Sequence, residues 1–143
     1  MTTFVWDIKF NTGLETMDAQ HQKIFDCMTT IYKAIPDSHL KCDNFNSMLD
    51  QLALLCQMYF ITEEQLMDEM NYPSAAEHKR QHNLFLATID RLKIENNQCH
   101  TTSILIDFIH IREDFIAHML SETMTLSEFI KKSSGIDSTV TAH

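Results

Sequence analysis

Five polar residues, His21, Glu63, His78, His82 and His118, fall where an amphipathic helix should present apolar side chains. His78 and His82 are four apart, so they leave one helix face together, one turn above the other. Buried imidazoles and a buried carboxylate are costly unless something pairs with them, and a metal ion satisfies all of them at once. Imidazole with carboxylate suits iron, zinc, manganese or nickel rather than magnesium or calcium, and no inward thiolate cluster points to a softer metal. The H-x-x-x-H pair alone is a weak sign, because structural histidines share that spacing. The case rests on every helix contributing an inward polar group near mid-length, where antiparallel helices bring side chains to one height.

The elements that must position these groups are legible from periodicity. Residues 1–17 mix apolar and turn-forming types, with Phe4, Trp6 and Phe10 ahead of Asn11-Thr12-Gly13, and read as an arm covering one end of the core. Asp18 is the expected cap of a first helix running to about Ala34, with stripe His21, Ile24, Phe25, Met28, Ile31 and Ile35. A polar connection, Asp37–Asp43, leads to a second helix ending near Met70, with Phe45, Met48, Leu52, Leu55, Tyr59, Glu63, Met67 and Met70 on one face. Asn71-Tyr72-Pro73-Ser74 is a turn signal, and Ser74 with Glu77 resembles a capping box. The third helix places His78, His82, Phe85, Ile89 and Leu92 inward and stops at Asn96-Asn97-Gln98. The fourth, from near Thr102 to about Lys132, turns Phe108, Ile111, Phe115, His118, Glu122 and Phe129 inward.

Composition agrees with this organisation. In 143 residues there are two Gly and two Pro, too few breakers for a β-rich chain. The expected fold is all-α, an antiparallel up-down-up-down four-helix bundle with an N-terminal arm. One domain spans residues 1–132, and 133–143 form a tail with little to bury, expected to be mobile. A net charge of −9 argues against nucleic acid as a partner, because phosphate neutralisation needs Lys and Arg. No basic amphipathic face or long apolar run implies a membrane. The first ten residues show no cationic region followed by an apolar core, so no secretory signal is expected. Cys27, Cys42, Cys56 and Cys99 form no C-x-x-C pair and read as reduced thiols, with the cytoplasm as the expected compartment.

Among the remaining residues, His39, His100 and His143 lie in loops or the tail and are expected to be solvated, as is His110. The nine methionines are core filler rather than a copper site. Glu64 is expected at the surface or beside a basic group. Ile24, Phe25, Phe60, Met67, Phe85 and Phe115 are placed to wall the metal pocket and keep it dry.

The run Tyr59-Phe60-Ile61-Thr62-Glu63-Glu64-Gln65-Leu66-Met67, then Tyr72-Pro73, then His78-x3-His82, resembles the central motif of hemerythrins. There the pattern reads H-F-x-x-E-E-x-x-M, then Y-P, then H-x3-H. Trp6, Phe10, Gly13, Met17-Asp18 and Gln20-His21 also resemble the arm and first ligand of the bacterial members, so the likeness covers roughly residues 4–130. It implies a four-helix bundle holding two oxo-bridged irons that, in carriers and sensors, bind O2 reversibly. By position, His78, His82 and His118 would hold one iron, His21 the other, and Glu63 would bridge them.

Two departures from the family pattern matter. Tyr59 stands where the family has a histidine ligand, and either fills the core as a phenol or binds iron as a phenolate; ligation is the expected role. The family's second bridging carboxylate, five residues beyond the last histidine, falls on Thr123, a neutral hydroxyl. Glu122 lies about 40° from His118 around a regular helix and is the alternative. The site of His78, His82, His118 and Glu63 is complete, whereas that of His21 and Tyr59 is altered, so one metal rather than two is open.

The leading expectation is a non-haem iron protein, with two irons, that binds O2 or a related small oxidant as carrier, store or sensor rather than as an enzyme. A sensor role requires a separate signalling or redox partner protein. One alternative is an iron-dependent redox enzyme acting on peroxide, NO or O2 through a tyrosinate-modified site, with peroxidase- or oxidase-like activity. The other is a degenerate interaction module with one metal or none.

Overall fold

A computed structural model describes residues 10–35, 42–95 and 101–133. Four antiparallel rods form the bundle: α1 (Glu15–Ala34), α2 (Cys42–Glu69), α3 (Ala75–Glu95), and a last rod in three consecutive parts. That rod consists of α4 (Thr101–His118), a π-helical turn (Met119–Thr123) and α5 (Met124–Ser133). Each rod packs on the next, and α1 also touches α4, which closes the ring. The all-α up-down-up-down bundle expected from periodicity is the fold observed. The 133–143 tail beyond Ser133, the connections after Pro36 and Asn96, and Phe4 and Trp6 of the arm lie outside the described residues.

The apolar stripes of α1 and α3 bury as their spacing demands, whereas on the expected face of α2 Met48, Leu55 and Met70 are only half-buried. His21, Ile24, Phe25, Met28, Ile31 and Ile35 line the inner face of α1 and its C-cap, and His78, His82, Phe85, Ile89 and Leu92 that of α3. On α2, Phe45, Leu52, Tyr59, Glu63 and Met67 are buried, joined by Leu49, Cys56 and Phe60 from the neighbouring register. Flanked on both sides by other rods, α2 buries a stripe wider than a single seam. Phe10 stacks on Phe25 with centroids 5.3 Å apart, so the described part of the arm does cap the core.

Helix ends depart from expectation in two places. Asp18 does not open α1, which starts three residues earlier at Glu15, with Leu14 as a cap that makes no side-chain bond. The Asp18 carboxylate instead folds back over the preceding turn, accepting from Thr12 N (2.8 Å), Thr12 Oγ1 (2.7 Å) and Gly13 N (3.1 Å). It thereby holds the turn in which Gly13 has a positive φ of 82°. Similarly, Glu77 makes no capping box with Ser74. Its carboxylate runs forward to Arg80 (2.6 and 2.8 Å), a stronger charge-assisted pairing.

The largest correction concerns the last rod. Phe108, Ile111 and Phe115 are buried as expected, but beyond them Thr123, Leu126, Ser127 and Ile130 turn inward, while Glu122 and Phe129 are only half-buried. The π turn is the cause. Met124 N–H bonds back five residues to Met119 O, so one extra residue is accommodated and the inner face advances by one position. Extrapolation at 3.6 residues per turn cannot anticipate such an insertion.

Leu52→Ala should cost about 2–5 kcal/mol by denaturant unfolding, because its side chain is wholly enclosed between rods. Leu54→Ala, at a position 57% exposed on the same helix, should stay within about 0.5 kcal/mol.

Candidate metal centre

A polar layer interrupts the core toward the end of the bundle that carries the α2–α3 turn. Beyond it Met67, Tyr72, Leu126 and Ile130 form a small second apolar cluster. Glu63 comes from the last third of α2, His78 and His82 from the first two turns of α3, and His118 from the last residue of α4. Glu63, His78 and His82 thus lie toward one end of their helices, whereas His118 stands at the mid-length of its rod, as expected. A short turn brings late α2 and early α3 to the same height.

Three imidazoles converge on one carboxylate oxygen. Glu63 Oε1 lies 2.9 Å from His82 Nε2, 3.2 Å from His78 Nε2 and 3.5 Å from His118 Nε2. One donor atom from each of these four residues lies within 4.8 Å of all the others. Glu63, His78 and His82 are buried and His118 nearly so, with 10% of its side chain exposed. Burial favours the neutral form of Glu63, but hydrogen bonds from His118, His78 and His82 outweigh it and hold the carboxyl well below its ordinary range. Burial lowers the His118 imidazole, against the pull of Glu63.

Glu64 completes the arrangement. Its Oε2 lies 2.9 Å from His82 Nδ1, so this half-buried residue pairs with a basic side chain, as one of the two expectations had it, and orients the imidazole. With Nδ1 held by Glu64, the His82 ring directs Nε2 at Glu63 Oε1, 2.9 Å away. A carboxylate held on the far nitrogen is the usual support of a metal-binding histidine. The donor set therefore fits a metal ion.

The other candidates lie alongside this cluster. Thr123, not Glu122, takes the inner position five residues beyond His118, where the π turn puts it on the same face. Thr123 Oγ1 donates to Glu63 Oε2 at 3.0 Å and lies 2.7 Å from the Tyr59 hydroxyl. Glu122 is half-buried, and its charge bears on the Tyr72 phenol. Tyr59 is fully buried. Burial and the charge of Glu63 raise its phenol well above the ordinary value in the metal-free chain. His21 is fully buried beside Tyr59 (centroids 4.5 Å) and Phe115 (6.3 Å), outside the four-donor cluster. Burial takes its imidazole down to about 4, against weaker opposing pulls from Glu63 and Asp18.

The expected walls divide. Phe60 stacks on His82 at 3.9 Å and 11°, Phe85 adjoins Phe60, Phe115 adjoins Phe85, and Phe25 packs behind Phe115. Ile24 is enclosed in the main core, and Met67 belongs to the cluster beyond the polar layer. A cavity of about 200 Å³ between α3 and α4 reaches His118 past Phe60, Phe85 and Phe115, with Leu84 and Asp114 exposed along it. Exposed His110 lies apart from the centre, along a separate hollow near Arg91 and Asp107. Within the described residues no helix is long and apolar enough to cross a membrane.

Fold and site together define a helical bundle built around a buried histidine–carboxylate cation site. The sequence profile of the hemerythrin HHE cation binding domain matches residues 12–130, and the chain belongs to that family. It is 24% identical over 139 residues to a bacteriohemerythrin of Stenotrophomonas maltophilia, covering 92% of this chain and 90% of the relative. A hemerythrin subunit 1 of Golfingia vulgaris is 28% identical over 98 residues, covering 68% and 78% of the two chains. A hemerythrin of Themiste dyscrita is 29% identical over 87 residues, or 61% and 69% of the chains.

Two measurements follow. His21 is about 4 in the folded metal-free chain against an ordinary 6.5, so the unfolded chain binds the extra proton and stability falls as pH drops between those values. His21→Phe should remove roughly 3 kcal/mol of that acid loss, read as a flatter profile of unfolding free energy against pH. Glu64→Ala should weaken metal affinity about 10–100-fold without unfolding the chain, measured by competition with a chromophoric chelator.

Proposed function

We propose that this chain is a non-haem iron protein that binds O2 or a related small oxidant, as a carrier, store or sensor. The observation that carries the reading is the meeting of three imidazole Nε2 atoms on one buried oxygen of Glu63, with the second nitrogen of His82 held by Glu64. Iron is the family's metal by the resemblance drawn from the central motif, and an N/O donor set of this kind suits it. When bound, it would supply a redox-active centre for a small ligand.

The chain's own residues supply selection and shielding. The cavity that ends at His118 is sized for a small molecule, and its walls of Phe60, Phe85 and Phe115 exclude bulk water. Stacking of Phe60 on His82 fixes the ring plane, and Glu64 holds its Nδ1. A sensor role would call for a separate signalling or redox partner. The free thiols of Cys27 and Cys56 agree with a reducing compartment, the cytoplasm in our reading.

Adding Fe(II) to the apoprotein under anaerobic conditions should raise its melting temperature, since a ligand that binds only the folded chain stabilises it. The gain should shrink as pH falls from 7 toward 5, because protons compete with the metal for the imidazoles. Admitting O2 should then produce a visible absorption band, whose reversal on degassing marks carriage. No iron uptake by the folded chain sinks the proposal.

A further inference from the structure

We infer that this chain holds a single metal ion at Glu63, His78, His82 and His118, and that a hydrogen-bonded Tyr59–Thr123 pair stands in place of the second one. The inference rests on the reading above that the four-donor cluster is a metal site. It then departs from the two-iron centre that the family resemblance implies.

The division of labour at Glu63 is the first reason. A bridging carboxylate must offer one oxygen to each of two cations. Here Oε1 faces the three imidazoles, whereas Oε2 accepts the hydroxyl proton of Thr123 at 3.0 Å. With that proton committed, Thr123 Oγ1 can only accept from the Tyr59 hydroxyl at 2.7 Å. Tyr59 to Thr123 to Glu63 is thus a chain of donors running in one direction, and it ends on the oxygen that a second cation would need.

Charge is the second reason. Among the described residues Glu63 is the only buried acid, and the other buried polar side chains of the layer are neutral hydroxyls or imidazoles. One divalent ion opposite one carboxylate leaves a modest net charge in the layer. A second would leave several positive charges in a low-dielectric core with no further buried anion and only the half-buried Glu64 beside His82 to offset them. Glu122, the nearest acid to Thr123 in sequence, is half-buried, and it is Thr123 that bonds to Glu63.

Placement is the third. His21 is packed against Tyr59 and Phe115, and the donor atoms that lie within 4.8 Å of one another do not include its nitrogens. Its ring fills a space between aromatic side chains, as a core residue does. Tyr59, whose ring touches His21, Phe60 and Phe115, plugs the same region with carbon and ends it with a hydroxyl.

The test is metal counting on the full chain, reconstituted with excess Fe(II) under argon, desalted and assayed by mass spectrometry of the metal against protein. One iron per chain is expected, and after oxidation an electron paramagnetic resonance signal of an isolated high-spin ferric ion. The double variant Tyr59→His, Thr123→Asp restores the family's donors and should raise the count from one to two, with the ferric signal quenched by coupling between the pair. Two irons per chain in the wild type overturn this inference and leave the iron reading standing. So does a phenolate-to-iron charge-transfer band that vanishes in Tyr59→Phe. Zero irons in a folded wild-type chain overturn the underlying metal reading instead. Should the double variant fail to fold, the wild-type count and spectrum decide alone.

Discussion

A single buried negative charge governs this bundle. Glu63 is wholly enclosed, and an ion in such a place is tolerated only where its oxygens are matched by donors or cations. The polar side chains around it answer that demand: three imidazoles from two other rods on one oxygen, a threonine hydroxyl on the other, and a tyrosine behind the threonine. The rods cannot slide or rotate independently without stranding the carboxylate. The same group that would bind a cation therefore also sets the register of α2 against α3 and of α2 against the last rod.

The surrounding apolar residues act on this charge by what they exclude. Main-core aromatics lie on one side of the polar layer, and the small cluster of Met67, Tyr72, Leu126 and Ile130 on the other. With water kept out, electrostatic interactions within the layer are stronger than they would be at the surface. The cavity between α3 and α4 opens to the surface and has His118 in its lining, so it is there that the layer comes nearest to solvent. Recognition in such a site depends less on contacts with the ligand than on size and on what the donors can hold.

How much was legible before coordinates depended on whether the information was local. The stripes of α1 and α3 are runs of short-range periodicity, so His21, His78 and His82 could be placed inward from spacing alone. The family motif around Tyr59 and His78-x3-His82 added the partnership between them. A basic partner for Glu64 was expected, but not that it would be His82: one position along a helix normally means another face, whereas the broad inner surface of α2 lets both Glu63 and Glu64 reach α3. Asp18 and Glu77 were misjudged for a related reason: each is a strong capping type, but a nearer or better-charged partner took the bond.

The amino-acid sequence by itself determined the four amphipathic rods, their antiparallel order, and a set of nitrogen and oxygen donors on apolar faces. These follow from the period of the α-helix and from the cost of leaving polar groups unpaired in a core. Only the tertiary structure decided which donors share one point in space. The π turn advanced the last rod by one residue, bringing Thr123 rather than Glu122 to the carboxylate, and packing turned Tyr59 toward that threonine. No local propensity encodes such a choice, because the bonds that Thr123 makes reach across the bundle to Glu63 and Tyr59 on α2, 60 and 64 residues away in the chain.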